Sequence, residues 1–351
     1  MGMGLARRGR MSDPWVTERD ALLGRRISEL GLQVAGTRVE RLTRQLYEEL
    51  DAHGVAFRPP VYLSDQWGCP DGTPLIGVPF YLADARLERI EAEMAGSVED
   101  DAEAMRYLRH EAGHAINYAF HLYERPEWRA RFGSFSRPYK ERYRADPFSR
   151  SHVRHILGWY AQKHPDEDFA ETFAVWLTPG LDWRERYEGW PALEKLEYVD
   201  RLMGEIGSRP FEAPAPSEDD LPVEAMRYTL AAHYAEDESL PIEDARQFDA
   251  DLARIFHSER HAPSGEAAGT FVHRHYREIV GRISYWTGES PGIVRSLVDH
   301  VGRRADALGL RVGGLEAATL VELTAFGTAV VMNYRETRRI GRRVRPVAES
   351  A

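Results

Sequence analysis

Residues 105–119 read MRYLRHEAGHAINYA, and they carry the strongest structural signal in the sequence. Apolar side chains recur in this stretch every three or four residues, which predicts an α-helix with one buried face. His110 and His114 stand four residues apart, so both imidazoles lie on one side of that helix and can bind one zinc ion, with Glu111 beside them. The stretch therefore predicts a metal site on a buried helix rather than in a loop.

A catalytic zinc takes three protein ligands and leaves one position for water, so a further ligand is expected downstream. A second helix is predicted over 165–177, because a proline opens it, acids fill its first turn and Thr178-Pro179-Gly180 ends it. An acid one turn behind a ligand suits a zinc site, since ligand imidazoles need acceptors for their other ring nitrogen. The residues alone leave the third ligand open among Asp166, Glu167, Asp168 and Glu171.

The two motifs together resemble the gluzincin metallopeptidases, and in particular the family of anthrax lethal factor. In that family His-Glu-x-x-His is followed by a helix of the form Glu-x-Phe-Ala-Glu-x-Phe, and residues 167–173 here read Glu-Asp-Phe-Ala-Glu-Thr-Phe. The resemblance implies that Glu167 is the third ligand and that Glu171 orients a histidine. It also implies that Tyr160, seven residues before Glu167, lies near the transition-state oxyanion.

This resemblance covers only residues 75–180, and the thermolysin-type form Asn-Glu-x-x-Ser-Asp is absent from the sequence. The whole pattern is also similar to bacterial zinc-binding metallopeptidases of unassigned substrate. The implied activity is hydrolysis of peptide bonds, most simply as a metalloendopeptidase with Zn²⁺ as cofactor and a peptide or protein as substrate. Glu111 is expected to act as general base and Tyr160 to donate a hydrogen bond to the oxyanion.

The fold class we predict is α+β, with a zincin-like domain that contains a small sheet and the histidine helix. The runs 61–63 and 75–82 flank a Pro-Asp-Gly turn and are expected to form paired strands, and Pro79 marks the second run as an edge strand. Residues 78–82 could then pair with an extended peptide. Helical periodicity predicts further helices over 22–30, 39–50 and 85–94, and it predicts that the histidine helix runs from near Ser97 to about Tyr123.

Composition shifts divide the chain into five predicted segments. Prolines and acids cluster between Gly207 and Pro222, which predicts a linker with little to bury. After it, helical periodicity continues with no strand pattern. The segments are a disordered N-terminus (1–13), the zinc metallopeptidase domain (14–206), a Pro-rich acidic linker (207–222), an all-helical module (223–345) and a tail (346–351).

Charge and composition exclude several other classes of protein. With 46 Lys and Arg against 56 Asp and Glu, the net charge is -10, which disfavours nucleic acid as a partner. The longest nearly uncharged stretch, 317–333, contains Glu322 and is too short to span a membrane. The single cysteine, Cys69, cannot form an internal disulfide, and no leader pattern opens the sequence, so we expect a cytoplasmic protein without membrane association.

Two other functions compete with the peptidase interpretation. In one, the zinc site is catalytically idle and only stabilises the fold, while the helical module acts as a scaffold or binds a partner protein. In the other, the protein cleaves DNA-bound proteins, which the net charge disfavours. In the peptidase interpretation itself, the helical module is expected either to cover the active-site cleft or to bind a partner.

Several further residues have plainer interpretations than a role at the metal. We interpret His152, His155 and His164 as surface or capping residues and Cys69 as an inert thiol rather than a zinc-blocking thiolate. The histidines of the helical module have no carboxylate at metal spacing and are interpreted as structural: His273, His275 and His300. The arginine pairs that follow the last predicted helix form a basic end, either solvated or facing an acidic partner.

Overall fold

The structure, a computed structural model, describes residues 13–95, 98–139, 143–209, 211, 222–235, 242, 246–289 and 291–337. Within these residues it is mostly helical, with two small two-stranded sheets. Nearly all of the predicted N-terminal segment, most of the predicted linker, the basic end after residue 337 and the tail 346–351 lie outside the described residues.

The helices and strands of the described residues are numbered in chain order. The α-helices are α1 Pro14–Leu23, α2 Arg38–Ala52, α3 Ala85–Met94, α4 Asp101–Ala119, α5 Pro126–Phe132, α6 Pro165–Leu177, α7 Trp183–Arg186, α8 Ala192–Ile206, α9 Leu230–Ala235, α10 Asp249–Ile255, α11 Ala268–Arg274, α12 Tyr276–Thr287, α13 Pro291–Ala307 and α14 Glu316–Thr337. The strands are β1 Val61–Ser64, β2 Ile76–Pro79, β3 His257–Ser258 and β4 Leu310–Arg311.

The histidine helix is α4, which is shorter at both ends than the predicted span from Ser97 to Tyr123. It begins at a capping box, in which the Asp100 side chain accepts from the Glu103 N–H and the Glu103 side chain accepts from the Asp100 N–H. It ends before His121, whose φ of 48° is left-handed and breaks the helical hydrogen-bond ladder. The remainder of the predicted span, 122–124, is a 3₁₀ turn.

The second motif helix is confirmed as α6, which is buried along its whole length. It crosses α4 where Gly113 faces Ala170, and apolar side chains of both helices belong to one hydrophobic core. Because glycine has no side chain there, the two helix backbones approach closely. This crossing brings the histidines of α4 against the acidic first turn of α6.

The predicted strands do pair, and the pairing is parallel, with Val61 opposite Ile76 and Ser64 opposite Pro79. The predicted extension of the second strand to residue 82 is wrong, because β2 ends at Pro79 and 80–83 form a buried 3₁₀ turn. Pro79 has no N–H to continue a ladder, and the side chains that follow it pack in the core. Residues 80–82 therefore offer no strand edge to a peptide.

Of the other helices predicted for this half of the chain, 85–94 is confirmed residue for residue as α3, and 39–50 lies within α2. The predicted helix over 22–30 is divided between the end of α1 and a 3₁₀ turn at 27–29. These elements surround α4 and α6 with apolar side chains. They form the first core, which also takes in Val223, Met226 and Leu230 from beyond the predicted linker.

A second core, from Phe248 to Val331, is built by α10 to α14. The predicted absence of strands from this region is wrong, because β3 pairs with β4 in antiparallel orientation. These strands are only two residues long, too short for a periodicity of two to show in the sequence.

The predicted domain boundaries themselves stay a prediction. None of the described helices combines the length with the hydropathy that a membrane span requires.

Candidate metal centre

Three side-chain atoms from α4 and α6 converge at the helix crossing. The Nε2 atoms of His110 and His114 lie 3.1 Å apart, and Oε2 of Glu167 lies 3.0 Å from the first and 3.1 Å from the second. All three residues are buried. Within the part of the chain that the structure describes, they form a group that could hold a metal ion. The predicted three residues are therefore brought together.

Each histidine is oriented by a carboxylate on its other ring nitrogen. Nδ1 of His110 is 2.9 Å from Oε1 of Glu171, and Nδ1 of His114 is 2.9 Å from Oδ2 of Asp166. When each Nδ1 donates to its carboxylate, the lone pair of each Nε2 points toward the other and toward Glu167. In this neutral form of the histidines, two lone pairs and a carboxylate oxygen face one point, where either a proton or a metal cation can satisfy them.

The spacing of these atoms also suits zinc. Zinc binds imidazole nitrogen and carboxylate oxygen at about 2.0–2.1 Å, so two ligand atoms of a tetrahedral site lie roughly 3.3 Å apart. The three distances measured here, 3.0 to 3.1 Å, are close to that value. The residues present therefore fit a zinc ion in both chemistry and spacing.

Burial and neighbouring charges shift the pKa values of these three side chains in opposite directions. Burial opposes protonation of His110, but hydrogen bonds to Glu167 and Glu171 outweigh it and raise the pKa of His110 to about 9. Burial also opposes ionisation of Glu167, yet the neighbouring histidines hold its pKa well below the usual range. The Glu167 carboxylate thus stays charged, as a metal ligand must be, and a metal ion would bind the two histidines by displacing the proton from Nε2.

Glu171 and Asp166 are themselves held by further donors. Glu171 is fully buried and accepts from the backbone N–H of His155 at 3.2 Å and of Ile156 at 2.9 Å. Asp166 accepts from the amide of Asn117 at 2.6 Å and the hydroxyl of Tyr118 at 2.5 Å. Both carboxylates are therefore fixed before they orient an imidazole.

Asp166 has a role that the sequence analysis missed, since it was considered there only as a possible ligand. The signal lay in α4, where Asn117 and Tyr118 follow His114 by three and four residues and so share its face. Two hydrogen-bond donors on the buried face of α4, the Asn117 amide and the Tyr118 hydroxyl, indicate an acceptor on the helix that packs against it. Asp168, another candidate ligand, lies apart from the three converging atoms and pairs instead with Lys195, at 2.6 Å.

Residues 84–181 match the model of a family described as "Putative zinc-binding metallo-peptidase". The matched segment contains α3 to α6 and every residue predicted for the site, from His110 to Glu171. The second core lies outside it. No curated protein and no solved structure matches the chain.

We call His110, His114 and Glu167 the metal group. It opens into a cavity of about 830 Å³, which is lined by residues of the matched segment and of the loop after β1. Glu111 and Tyr160 line it together with the three converging residues. Burial raises the pKa of Glu111, while the positive histidines oppose that rise. The predicted general base thus faces the space in front of the metal group.

Tyr160 follows α5 on a 3₁₀ turn, and its ring lies 5.6 Å from the ring of His110. A second phenol, which the sequence analysis did not single out, stands beside it: Tyr139 donates to Oε1 of Glu167 at 2.5 Å, and its oxygen is 3.4 Å from that of Tyr160. The ammonium of Lys163 is also 3.4 Å from the Tyr160 oxygen. The hydroxyls of Tyr139 and Tyr160 and the ammonium of Lys163 therefore lie where the metal group faces the cavity.

Several of the other histidines interpreted from the sequence, and the cysteine, have local partners. His164 caps α6 by accepting from the Asp166 N–H, which agrees with the capping interpretation. His155 bonds through Nε2 to the carbonyl of Arg106 at 3.0 Å, and burial lowers the pKa of His152 to about 4. Cys69 lines the cavity, and its thiol donates to the carbonyl of Thr73. In the second core, His275 pairs with Glu316 at 2.9 Å.

Proposed function

We propose that this protein is a zinc-dependent metallopeptidase that hydrolyses peptide bonds of a peptide or protein held in the 830 Å³ cavity. The observation that carries the proposal is the paired orientation of the histidines. Glu171 and Asp166 each accept from one Nδ1, so that both Nε2 lone pairs converge with Oε2 of Glu167. The family match over 84–181 supports the same chemistry.

A zinc ion bound by His110, His114 and Glu167 would lower the pKa of its water to about 7 and polarise the substrate carbonyl. Glu111 then accepts the proton of the attacking water and delivers it to the leaving amine nitrogen. Its position supports this role, because Glu111 lines the same cavity as the three converging residues. Tyr160 donates its hydroxyl hydrogen to the developing oxyanion.

The cavity favours a catalytic site over an idle one. A structural zinc is usually enclosed by four protein ligands, whereas a catalytic zinc keeps one position open. Here three residues converge, and all three line a space large enough for several side chains of a substrate. The intact Glu111 at the same cavity has no use in a purely structural site.

The test is cleavage of a mixed peptide library by zinc-loaded protein, read by mass spectrometry. Wild type is compared with Glu111→Gln and with Glu127→Gln, whose glutamate is 64% exposed on α5 and controls for the loss of one carboxylate. We expect cleavage by wild type and Glu127→Gln and none by Glu111→Gln, with one zinc bound by all three. Zinc binding without cleavage by any of them would overturn the proposal in favour of the idle zinc site.

A further inference from the structure

One segment connects the second core with the metal centre. We call residues 155–160 the site loop. Toward the metal centre, the backbone N–H groups of His155 and Ile156 donate hydrogen bonds to the Glu171 carboxylate. The ring of Tyr160 lies beside that of His110. The path of this loop therefore decides where one orienting carboxylate and one phenol stand.

The backbone of the site loop is strained at its turn. Gly158 has φ of 83°, and Trp159 follows in the left-handed region with φ of 57°. A tryptophan in that region costs free energy that glycine does not pay, because its Cβ crowds the backbone. Such a conformation persists only where the surrounding structure holds it.

The contacts that hold Trp159 come from the second core. Its ring centroid lies 6.3 Å from that of Tyr285 and 6.1 Å from that of Trp286, at the end of α12. Next to it, a Cβ on Gly158 would stand 3.0 Å from the Cα of Gly288, so the two backbones touch. The end of α12 is thus packed directly on the strained turn.

A second connection reaches the site loop through Tyr143. Its hydroxyl donates to the carbonyl of Gly158 at 2.7 Å, and its own carbonyl accepts from the guanidinium of Arg335 on α14 at 3.1 Å. Two helices of the second core are therefore connected to the same turn, α12 directly and α14 through Tyr143. Neither contact involves a residue that lines the catalytic cavity.

We propose that the second core positions the metal centre through Trp159, a positioning residue whose left-handed backbone is maintained by Trp286 and Tyr285. Loss of this support lets the site loop relax, which moves Tyr160 away from its place and loosens the N–H groups that hold Glu171. The catalytic consequence rests on the proposed peptidase function, but the positioning of the loop does not.

Trp286 is the residue to change, because it is 55% exposed and its removal should leave the second core folded. The variants are Trp286→Ala, Trp286→Phe as the conservative replacement, and Val321→Ala as control, since Val321 is 68% exposed on α14. All are made in the full chain. Hydrogen–deuterium exchange is followed in peptides covering 155–160, and kcat and KM are measured on a peptide taken from the library cleaved by wild type.

For Trp286→Ala we expect exchange over 155–160 to be at least tenfold faster, and kcat about tenfold lower with KM within twofold, since misplacing a catalytic group chiefly slows the chemical step. Trp286→Phe should recover most of the slow exchange over 155–160 and most of kcat, and Val321→Ala should match wild type in both measurements. Unchanged exchange over 155–160 in Trp286→Ala would overturn the inference. If wild type cleaves no peptide, the peptidase proposal fails, and the exchange measurement alone still decides the positioning role.

Discussion

Gly113 of α4 lies against Ala170 of α6 so closely that a Cβ atom on Gly113 would stand 2.7 Å from the Cα of Ala170. The obstacle is backbone, which cannot move aside as the end of a side chain could. One helix carries His110 and His114, and the other carries Glu167. The distance between the two helices therefore also sets the distance between the metal-binding atoms.

Gly113→Ala should separate α4 from α6 and destabilise the fold by about 1–3 kcal/mol, the usual result of overpacking. It should also lower zinc affinity, because the ligands sit on both helices. Urea unfolding and a zinc titration measure the two effects. The control is Gly204→Ala on α8, where an added Cβ meets nothing within 4 Å and better helix propensity should stabilise by up to about 1 kcal/mol. Equal stability of the two variants would contradict the close contact.

Glu171→Gln should weaken zinc binding by about 10–100-fold, because an amide cannot accept from His110 and from the N–H groups of His155 and Ile156 as a carboxylate does. Competition against a chromophoric chelator gives the affinity. Glu127→Gln, outside the site, should bind zinc like wild type. An unchanged affinity for Glu171→Gln would show that this carboxylate does not orient His110.

Removing the hydroxyl of Tyr160 and removing that of Tyr139 should affect different quantities, kcat in the first case and zinc affinity in the second. Tyr160→Phe removes the proposed oxyanion donor and should lower kcat by about 10²–10³-fold while zinc affinity stays unchanged. Tyr139→Phe removes the hydrogen bond to Oε1 of Glu167, so its main effect should be weaker zinc binding. Steady-state kinetics and chelator competition on both variants make the comparison. The assignment fails if Tyr160→Phe loses zinc or keeps full kcat.

The ion pair between Arg109 and Glu49 joins α4 to α2 through two hydrogen bonds, of 2.7 and 2.8 Å, and both side chains are largely buried. Arg109→Met leaves the Glu49 carboxylate without its main partner and should cost about 3–5 kcal/mol. Arg41→Met removes an exposed pair with Asp101 and should cost less than about 1 kcal/mol. Chemical denaturation of both variants provides the test, and similar losses would show that burial of the Arg109 pair has no effect.

Zinc removal should lower the thermal midpoint of the protein. An ion that binds only the folded state adds about 2.7 kcal/mol when its free concentration is 100 times its dissociation constant. Differential scanning calorimetry with and without chelator measures the shift. His114→Ala removes one of the three converging ligands and should abolish it. A shift of the same size in His114→Ala would place the stabilising zinc elsewhere.

Much of the site could be predicted because helical spacing is local. His110 and His114 share a face by their separation alone, and the first turn of α6 could be located from its proline and acids. Tyr139 was missed, since it reaches Glu167 across 28 positions of chain from a segment without helical periodicity. The strand predicted to reach residue 82 was too long because an apolar run of that length does not distinguish a strand from a buried turn.

Residue type and short-range spacing were enough to predict the kind of chemistry: the histidine pair, the adjacent Glu111 and the acidic helix indicate a metal site, a candidate base and a further candidate ligand. The separate places of the three acids followed only from the packing of the two helices. Glu167, Asp166 and Asp168 are consecutive and chemically alike, and only the crossing of α6 over α4 directs the first to the metal group, the second to His114 and the third to Lys195. Neighbouring helical residues point about 100° apart, so their partners depend on what packs on each side.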